Sequence, residues 1–529
     1  EIWGSLMRRI SKHACNGRSA LKELGFAFPW RNRIISLRHT QAIESTEERV
    51  AGSEVFEEVK MSLSRRIEML SRGEPVSLAC RALMGEGFAI HRGEIFHTVN
   101  RLRKFKLYNR ALEVMEWVIR ERPYRIRELE YSYLLEFTTK VHGISSGEKL
   151  FSCVPVEFQT DLLYNNLVLA CLERGIIKLS LEYMKKMREL GHQISHLVFN
   201  RLIILHSSKG RRKKIPELLA LMKADNVVPH VSTFNILLKI QANDHNIEGL
   251  LKVYSEMKKY VEPNEISFCI LSTAHIVARL FSAAESFVDF VEKTSTGQNW
   301  STLNVLLTAY SYLGKVKEME KTWSQIQQLS SVSFKSYVLA VEALGRVGKI
   351  SEAEELFLEM KSIKKVKSTE QFNSILSVYC KNGMIKKAAF IMREMEGVGC
   401  LPNAITYRNL CLLSLKADLG DEALRVLEKS SNMLISNKMR NSLPCLETSL
   451  SIVEAFSEKG DVVNVEKMYE ELKKTNYIRY SFVHNVIIKA YVRAKLYEPN
   501  LLRRMILAGA LPDPETYSLI KLVDEFKIV

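Results

Sequence analysis

The sequence predicts an all-α chain: an α-solenoid of helix–turn–helix units. Three observations predict it. Apolar residues recur at three- and four-residue spacing through most of the chain, as amphipathic helices require. Glycine and proline punctuate those stretches at regular intervals. The same residue types return about every 35 residues, the mark of a repeat array rather than of three or four separate domains. Residues 371–403, QFNSILSVYCKNGMIKKAAFIMREMEGVGCLPN, carry all three signals.

In element order, residues 1–45 come first. They hold Arg8, Arg9, Lys12, Arg18, Lys22, Arg31, Arg33 and Arg38 against only Glu1, Glu23 and Glu44. An Arg-rich, acid-poor stretch with interleaved apolar residues is what an organellar import segment looks like. Serine is present without dominating, which favours the mitochondrion, with the chloroplast as the alternative. A basic tail that binds nucleic acid directly is the competing reading. The segment is expected to be disordered, with the mature chain starting near Glu44. The chain begins at Glu1 rather than Met, so a longer reading frame is expected. Residues 46–91 read as helical but out of register with the repeats C-terminal to them, and are expected to form an N-terminal cap.

With Thr369 as position 1, Phe372 takes position 4, Asn373 position 5, Gly383 position 15, Ala388 position 20, Met395 position 27, Pro402 position 34 and Asn403 position 35. The same ruler finds Tyr164, Asn165, Gly175 and Met187 in 161–195, and Phe199, Asn200, Met222 and Pro229 in 196–230. It finds Phe234, Asn235, Tyr254, Met257 and Pro263 in 231–264, Asn304, Gly314 and Trp323 in 300–333, and Tyr337, Gly348, Ala353 and Met360 in 334–368. Further on it finds Gly460, Tyr469 and Leu472 in 446–480, and Asn485, Tyr491 and Pro512 in 481–513. Weaker copies fit 92–127, 128–160, 265–299 and 404–445, the last with an insertion around Ser430–Ser442. A partial copy fills 514–529.

Each slot has a physical job. Glycine at position 15 can take the left-handed conformation that closes the first helix. Alanine at position 20 allows close approach of the paired helix. The apolar residue at position 27 belongs to the core, and proline at position 34 ends the second helix. A single hairpin cannot bury its own apolar face, so neighbours must stack.

Bulk composition agrees with a folded chain: 47% hydrophobic and 26% charged. The formal net charge of +16 favours a polyanionic partner, or else reflects a solvated basic surface with a basic leader. The run KGRRKK at 209–214 sits at an inter-helix turn, where it can touch a polyanion or simply face water. Nine cysteines without a CxxC pair indicate neither a zinc site nor a disulfide framework. The apolar run Ser267–Phe281 is shorter than the roughly 20 residues that span a bilayer, so no membrane insertion is expected. No HExxH, GxSxG or HxE…CxxC pattern occurs. GISSGEKL at 143–150 lacks the glycine spacing and the Ser/Thr of a phosphate-binding loop. No cofactor, metal or catalysis is expected.

The aromatic–Asn start, the period and the slots resemble the pentatricopeptide repeat family, over roughly 80% of the chain. The segment VNRLRKFKLYNRALEVMEWV at 99–118 is similar to the opening of a plant organellar, P-class subgroup. The resemblance implies a right-handed α-solenoid that binds single-stranded RNA rather than DNA. Positions 5 and 35 together would read one base per repeat. The implied base-reading pairs are Asn165/Ser195, Asn200/His230, Asn235/Asn264, Asn304/Ser333, Asn373/Asn403 and Asn485/Asp513. By the family's code, Asn/Asn and Asn/Ser imply a pyrimidine leaning to C, and Asn/Asp implies U. The competing reading is that the position-5 amide bonds to nearby backbone. Cys269/Asn299, Val338/Ser368, Arg408/Cys445 and Leu450/Tyr480 depart from the code, which argues for a short recognition site. Lys104, Arg346, Lys381, Lys416 and Arg493, all at position 13, are the expected phosphate contacts.

Three functional readings compete, the first being the expected one. The first is an organellar RNA-binding protein acting in transcript stability, processing or translation. The second is a structural scaffold on a large assembly such as the mitochondrial ribosome, and the third a protein–protein adaptor.

Overall fold

The computed structural model describes residues 62–528, apart from 72, 330, 364–365 and 435–436. The segment 1–45 and the first part of 46–91 lie outside the described residues. Two compact units divide the described residues, 62–236 and 237–528.

In the first unit, helices Leu63–Met69 and Val76–Gly85 pack on Arg92–Lys104 and Tyr108–Glu121 and share one core with them. Hairpins Glu128–Val141 with Ile144–Cys153, Asp161–Glu173 with Ile177–Glu189, and His196–Ser208 with Ile215–Ala224 come next. In the second unit, the first helices Glu265–Val277, Trp300–Leu313, Phe334–Arg346, Thr369–Lys381, Ala404–Lys416, Leu443–Glu458, Ser481–Ala494 and Pro514–Asp524 pack each on the next. Each of these but the last is followed by its partner helix, from Phe281–Thr294 to Leu501–Leu507. Each unit is therefore an α-solenoid of stacked helical hairpins, with the first helices forming one layer. Among the described residues, no helix is long and apolar enough to cross a membrane.

The slots explain this stacking. Met187, Met222, Met257, Val291, Ile326, Met360, Met395 and Leu472, all at position 27, are fully buried. So are Leu250, Ala284, Met319, Ala353, Ala388, Ala423 and Val465 at position 20. Adjacent first helices come close enough that a Cβ on Gly345 would lie 2.3 Å from Cγ2 of buried Val378. The first-helix exit is left-handed whether or not glycine is present. Gly383 has φ 67°, and Asp418, in the same slot, has φ 61°. In both, the next amide bonds back to the helix: Met384 N to Tyr379 O at 2.9 Å, and Leu419 N to Ser414 O at 2.9 Å. Lys106, His245, Arg279 and Lys495 take the same conformation. Left-handed backbone costs a non-glycine residue roughly 1–2 kcal/mol, which the packing of the hairpin must offset.

Candidate nucleic-acid interface

In the implied base-reading pairs, position 35 is the residue just before the following first helix. Ser195 accepts from Leu197 N (3.2 Å), Asn264 from Ser267 N (3.1 Å) and Ser333 from Ser336 N (3.1 Å). Asn403 accepts from Thr406 N (3.0 Å) and Asp513 from Thr516 N (2.8 Å). Asn, Ser and Asp fill this slot because their side-chain oxygens satisfy amides that the first helical turn leaves open. His230 caps with its ring instead: Nδ1 accepts from Ser232 N (3.3 Å), the residue is exposed, and its ring lies 4.9 Å from that of His196.

Position 5 lies one turn into the first helix and is buried in every readable repeat. Its amide reaches the next cap. Asn373 Nδ2 donates to Asn403 Oδ1 (3.1 Å), and Asn373 Oδ1 accepts from the Thr406 hydroxyl (2.8 Å). The arrangement recurs with a carboxylate. Asn485 Nδ2 donates to Asp513 (3.1 Å to Oδ1) and to Glu515 (3.0 Å), and Asn485 Oδ1 accepts from the Thr516 hydroxyl (2.7 Å). Burial alone would raise the Asp513 carboxyl, but hydrogen bonds from Ser481, Thr516 and Asn485 outweigh it and hold its pKa down at about 2.

The other pairs are built differently. Asn165 donates to Asp161 O (2.7 Å) and Gln193 O (2.9 Å) and accepts from Ser195 N (2.8 Å), so its amide is spent on backbone. Asn200 donates to the Ser232 hydroxyl (3.0 Å), two residues past His230. Neither amide atom of Asn304 has a hydrogen-bond partner, and the residue is 1% exposed. Asn235 belongs to the first unit and Asn264 to the second. Hydrogen bonds thus join Asn165/Ser195, Asn373/Asn403 and Asn485/Asp513. At off-code Arg408, also buried, the guanidinium pairs with Glu471 and donates to Ser449.

The position-13 cations line the C-terminal ends of the first helices. Lys104, Lys416 and Arg493 are exposed. Arg493 donates to Ser457 of the preceding repeat (3.1 Å), as Arg346 does to Ser311 (2.7 Å). Arg346 also donates to Glu447 (3.1 Å) and lies over the Tyr312 ring (4.0 Å), Lys381 Nζ is 3.9 Å from Glu447, and the Tyr312 hydroxyl bonds the same carboxylate. Burial would raise the Glu447 carboxyl, but Arg346, Lys381 and Tyr312 reverse the effect and keep it below the ordinary range. Close by, the His245 ring packs 4.2 Å from Tyr477 and its Nδ1 is 3.0 Å from the Tyr480 hydroxyl. Burial, reinforced by Arg479, lowers the His245 pKa to about 4. Arg279 lies 4.5 Å over Phe482. Glu447 is the residue that reading the sequence missed. Nothing in its local pattern distinguishes it from other helical glutamates.

Profiles described as "PPR repeat family", "Pentatricopeptide repeat domain" and "PPR repeat" match residues 367–411, residues 182–244 and 217–274, and residues 301–330 and 335–364, respectively. The chain is 55% identical over 524 residues to the Arabidopsis thaliana pentatricopeptide repeat-containing protein At1g07590, mitochondrial, covering 98% of this chain and 97% of the relative. The chain belongs to the pentatricopeptide repeat family. A second relative of the same family and organism, At1g80270, mitochondrial, is 27% identical and covers 84% of this chain and 73% of its own. With mitochondrial relatives at this identity and coverage, this pentatricopeptide repeat protein is mitochondrial. The crystal structure of the pentatricopeptide repeat protein PPR10 in complex with an 18-nt psaJ RNA element aligns with 87% of this chain and 75% of its own, at 17% identity and a TM-score of 0.42.

Proposed function

We propose that this pentatricopeptide repeat protein binds single-stranded RNA in the mitochondrion without catalysis. It would act in transcript stability, processing or translation by occupying the strand. The observation that carries this reading is the 3.1 Å juxtaposition of Asn373 with Asn403, repeated at Asn485 and Asp513. Two polar side chains so close can address one base edge together, and an asparagine amide can both donate and accept. Crosslinking in isolated mitochondria, followed by sequencing of the bound RNA, tests it. A short pyrimidine-biased element in a defined transcript is expected. Recovery of RNA without a shared element, with no salt-dependent binding of unstructured RNA by the purified chain, would remove the reading.

A scaffold role on a large assembly such as the mitochondrial ribosome is the second reading. It is favoured by Arg346 and Lys381 being engaged within the chain rather than standing free for phosphate. Co-sedimentation with a ribosomal subunit that survives ribonuclease treatment is its expected signature.

A further inference from the structure

Three successive first helices present Tyr312, Arg346 and Lys381 at one position, and all three converge on Glu447. Glu447 stands 135 residues beyond Tyr312 and 101 beyond Arg346. The contact is therefore tertiary, made across the second unit. Further contacts run beside it. Asn476 Nδ2 donates to Asn243 O (3.4 Å), His245 packs against Tyr477 and Tyr480, and Arg279 covers Phe482. The C-terminal ends of first helices from five consecutive repeats thus face the segment 476–482 and the first turns of Leu443–Glu458.

A guanidinium, an ammonium and a phenol hydroxyl surround the Glu447 carboxylate, with the Glu342 carboxyl, pushed up by burial, beside them; they form a site for a singly charged oxyanion, and a phosphodiester has the same charge and acceptor geometry. We propose that Glu447 is the resident occupant of an anion site that a backbone phosphate of single-stranded RNA takes when it binds, so that the second unit is closed by its own carboxylate until RNA displaces it. This rests on the RNA-binding reading above. The chemistry suits exchange. Arg346, Lys381 and Glu447 each keep 18–35% of their side-chain surface exposed. Phosphate replaces the carboxylate without leaving a buried cation unpaired.

The test compares the native full chain with Glu447→Gln in binding a 20-nucleotide unstructured pyrimidine RNA over a salt series. Glu447→Gln is expected to bind at least five-fold more tightly. Its log-affinity against log-salt slope should match that of the native chain, because the same phosphates are held in both complexes. Tyr312→Phe removes one bond to the carboxylate and spares both cations. It should move affinity in the same direction by a smaller factor, and it serves if Glu447→Gln does not fold. Native and variant chains binding this RNA with equal affinity would overturn the proposal and leave the RNA-binding reading standing. If neither chain binds it at low salt, both fall.

Discussion

Asn403→Asp separates the two jobs that the pair Asn373/Asn403 performs. The cap survives the change, because aspartate and asparagine are equivalent N-caps and Thr406 N keeps its acceptor at 3.0 Å. The bond from Asn373 Nδ2, now 3.1 Å to an amide oxygen, becomes charge-assisted, and a carboxylate at a helix N-terminus gains a further 0.3–1 kcal/mol or so. The chain already contains this arrangement at Asn485, Asp513 and Thr516, so no new geometry is asked of it. Thermal melts without RNA should therefore show no loss of stability. Under the proposed RNA reading, the variant swaps an amide for an acceptor-only edge, and the preferred base at that repeat should change from C to U. A good polar base contact carries about 1–3 kcal/mol of discrimination, roughly 5- to 150-fold in the C-to-U affinity ratio. The assay is competition binding with RNAs that differ at single positions.

Asp513→Asn should produce the opposite switch at its own repeat. Because the Asp513 pKa is depressed to about 2, its stabilising share is present above the ordinary value of 3.8 and disappears as pH falls to 2. Asp513 is partly exposed, so that share is about 1 kcal/mol or less. A pair of melts at pH 7 and pH 2.5 measures it. If neither substitution alters base preference at any position of an RNA the native chain binds, positions 5 and 35 do not read bases here.

Packing and charge lead to two further outcomes. Burial, countered by Arg346 and augmented by Glu447 and Glu370, with Lys381 opposing, raises the Glu342 carboxyl from 4.5 to about 7. A raised acid favours the folded state only while protonated, so native stability should fall as pH rises from about 4.5 to 7 and then level off. Glu342→Gln should match the native chain at pH 4.5 and exceed it by about 1–3 kcal/mol at pH 8 in urea melts, and a constant gap would refute the assignment. Gly345→Ala gains up to about 1 kcal/mol of helix propensity but drives its Cβ into Val378, at a cost of about 1–3 kcal/mol. A net loss is expected, relieved in the double variant with Val378→Ala; simple additivity would mean the helices part freely.

The solenoid was legible because its causes are local. Apolar spacing, buried Met395 and Met360, and the cap-forming residues each act within one repeat or on the next. The left-handed exit at Asp418 or Lys495 was not legible as a slot, since the residue there resists the conformation. It is imposed by the back-bonded turn and by stacking on neighbours. The fate of Arg346 and Lys381 was not legible at all. As position-13 cations they read as exposed phosphate contacts, and the sequence period says nothing of how far a stack bends. Glu447 meets them from the first turns of Leu443–Glu458, a helix that follows a repeat longer than its neighbours and starts earlier in its repeat frame than the other first helices.

The asparagines at position 5 carry one further lesson. At Asn165 the amide is consumed by Asp161 O, Gln193 O and Ser195 N; at Asn304 it is buried without any partner; at Asn373 it holds the next cap. One residue type in one slot therefore spans a purely structural clamp and an unsatisfied polar group that costs stability. Alanine substitution confounds these cases. At Asn373 it removes two hydrogen bonds worth about 1–2 kcal/mol together, so weakened RNA binding would result from a loosened repeat as readily as from a lost base contact. At Asn304 no bond is lost, and a leucine, of the same branching but larger, removes the unpaired buried amide and should stabilise the chain by up to about 1 kcal/mol. If Asn304→Leu both raises the melting temperature and abolishes preference at one base, the unpaired amide is held in place for the ligand; a stabilised chain with unchanged preference would mean that it is not.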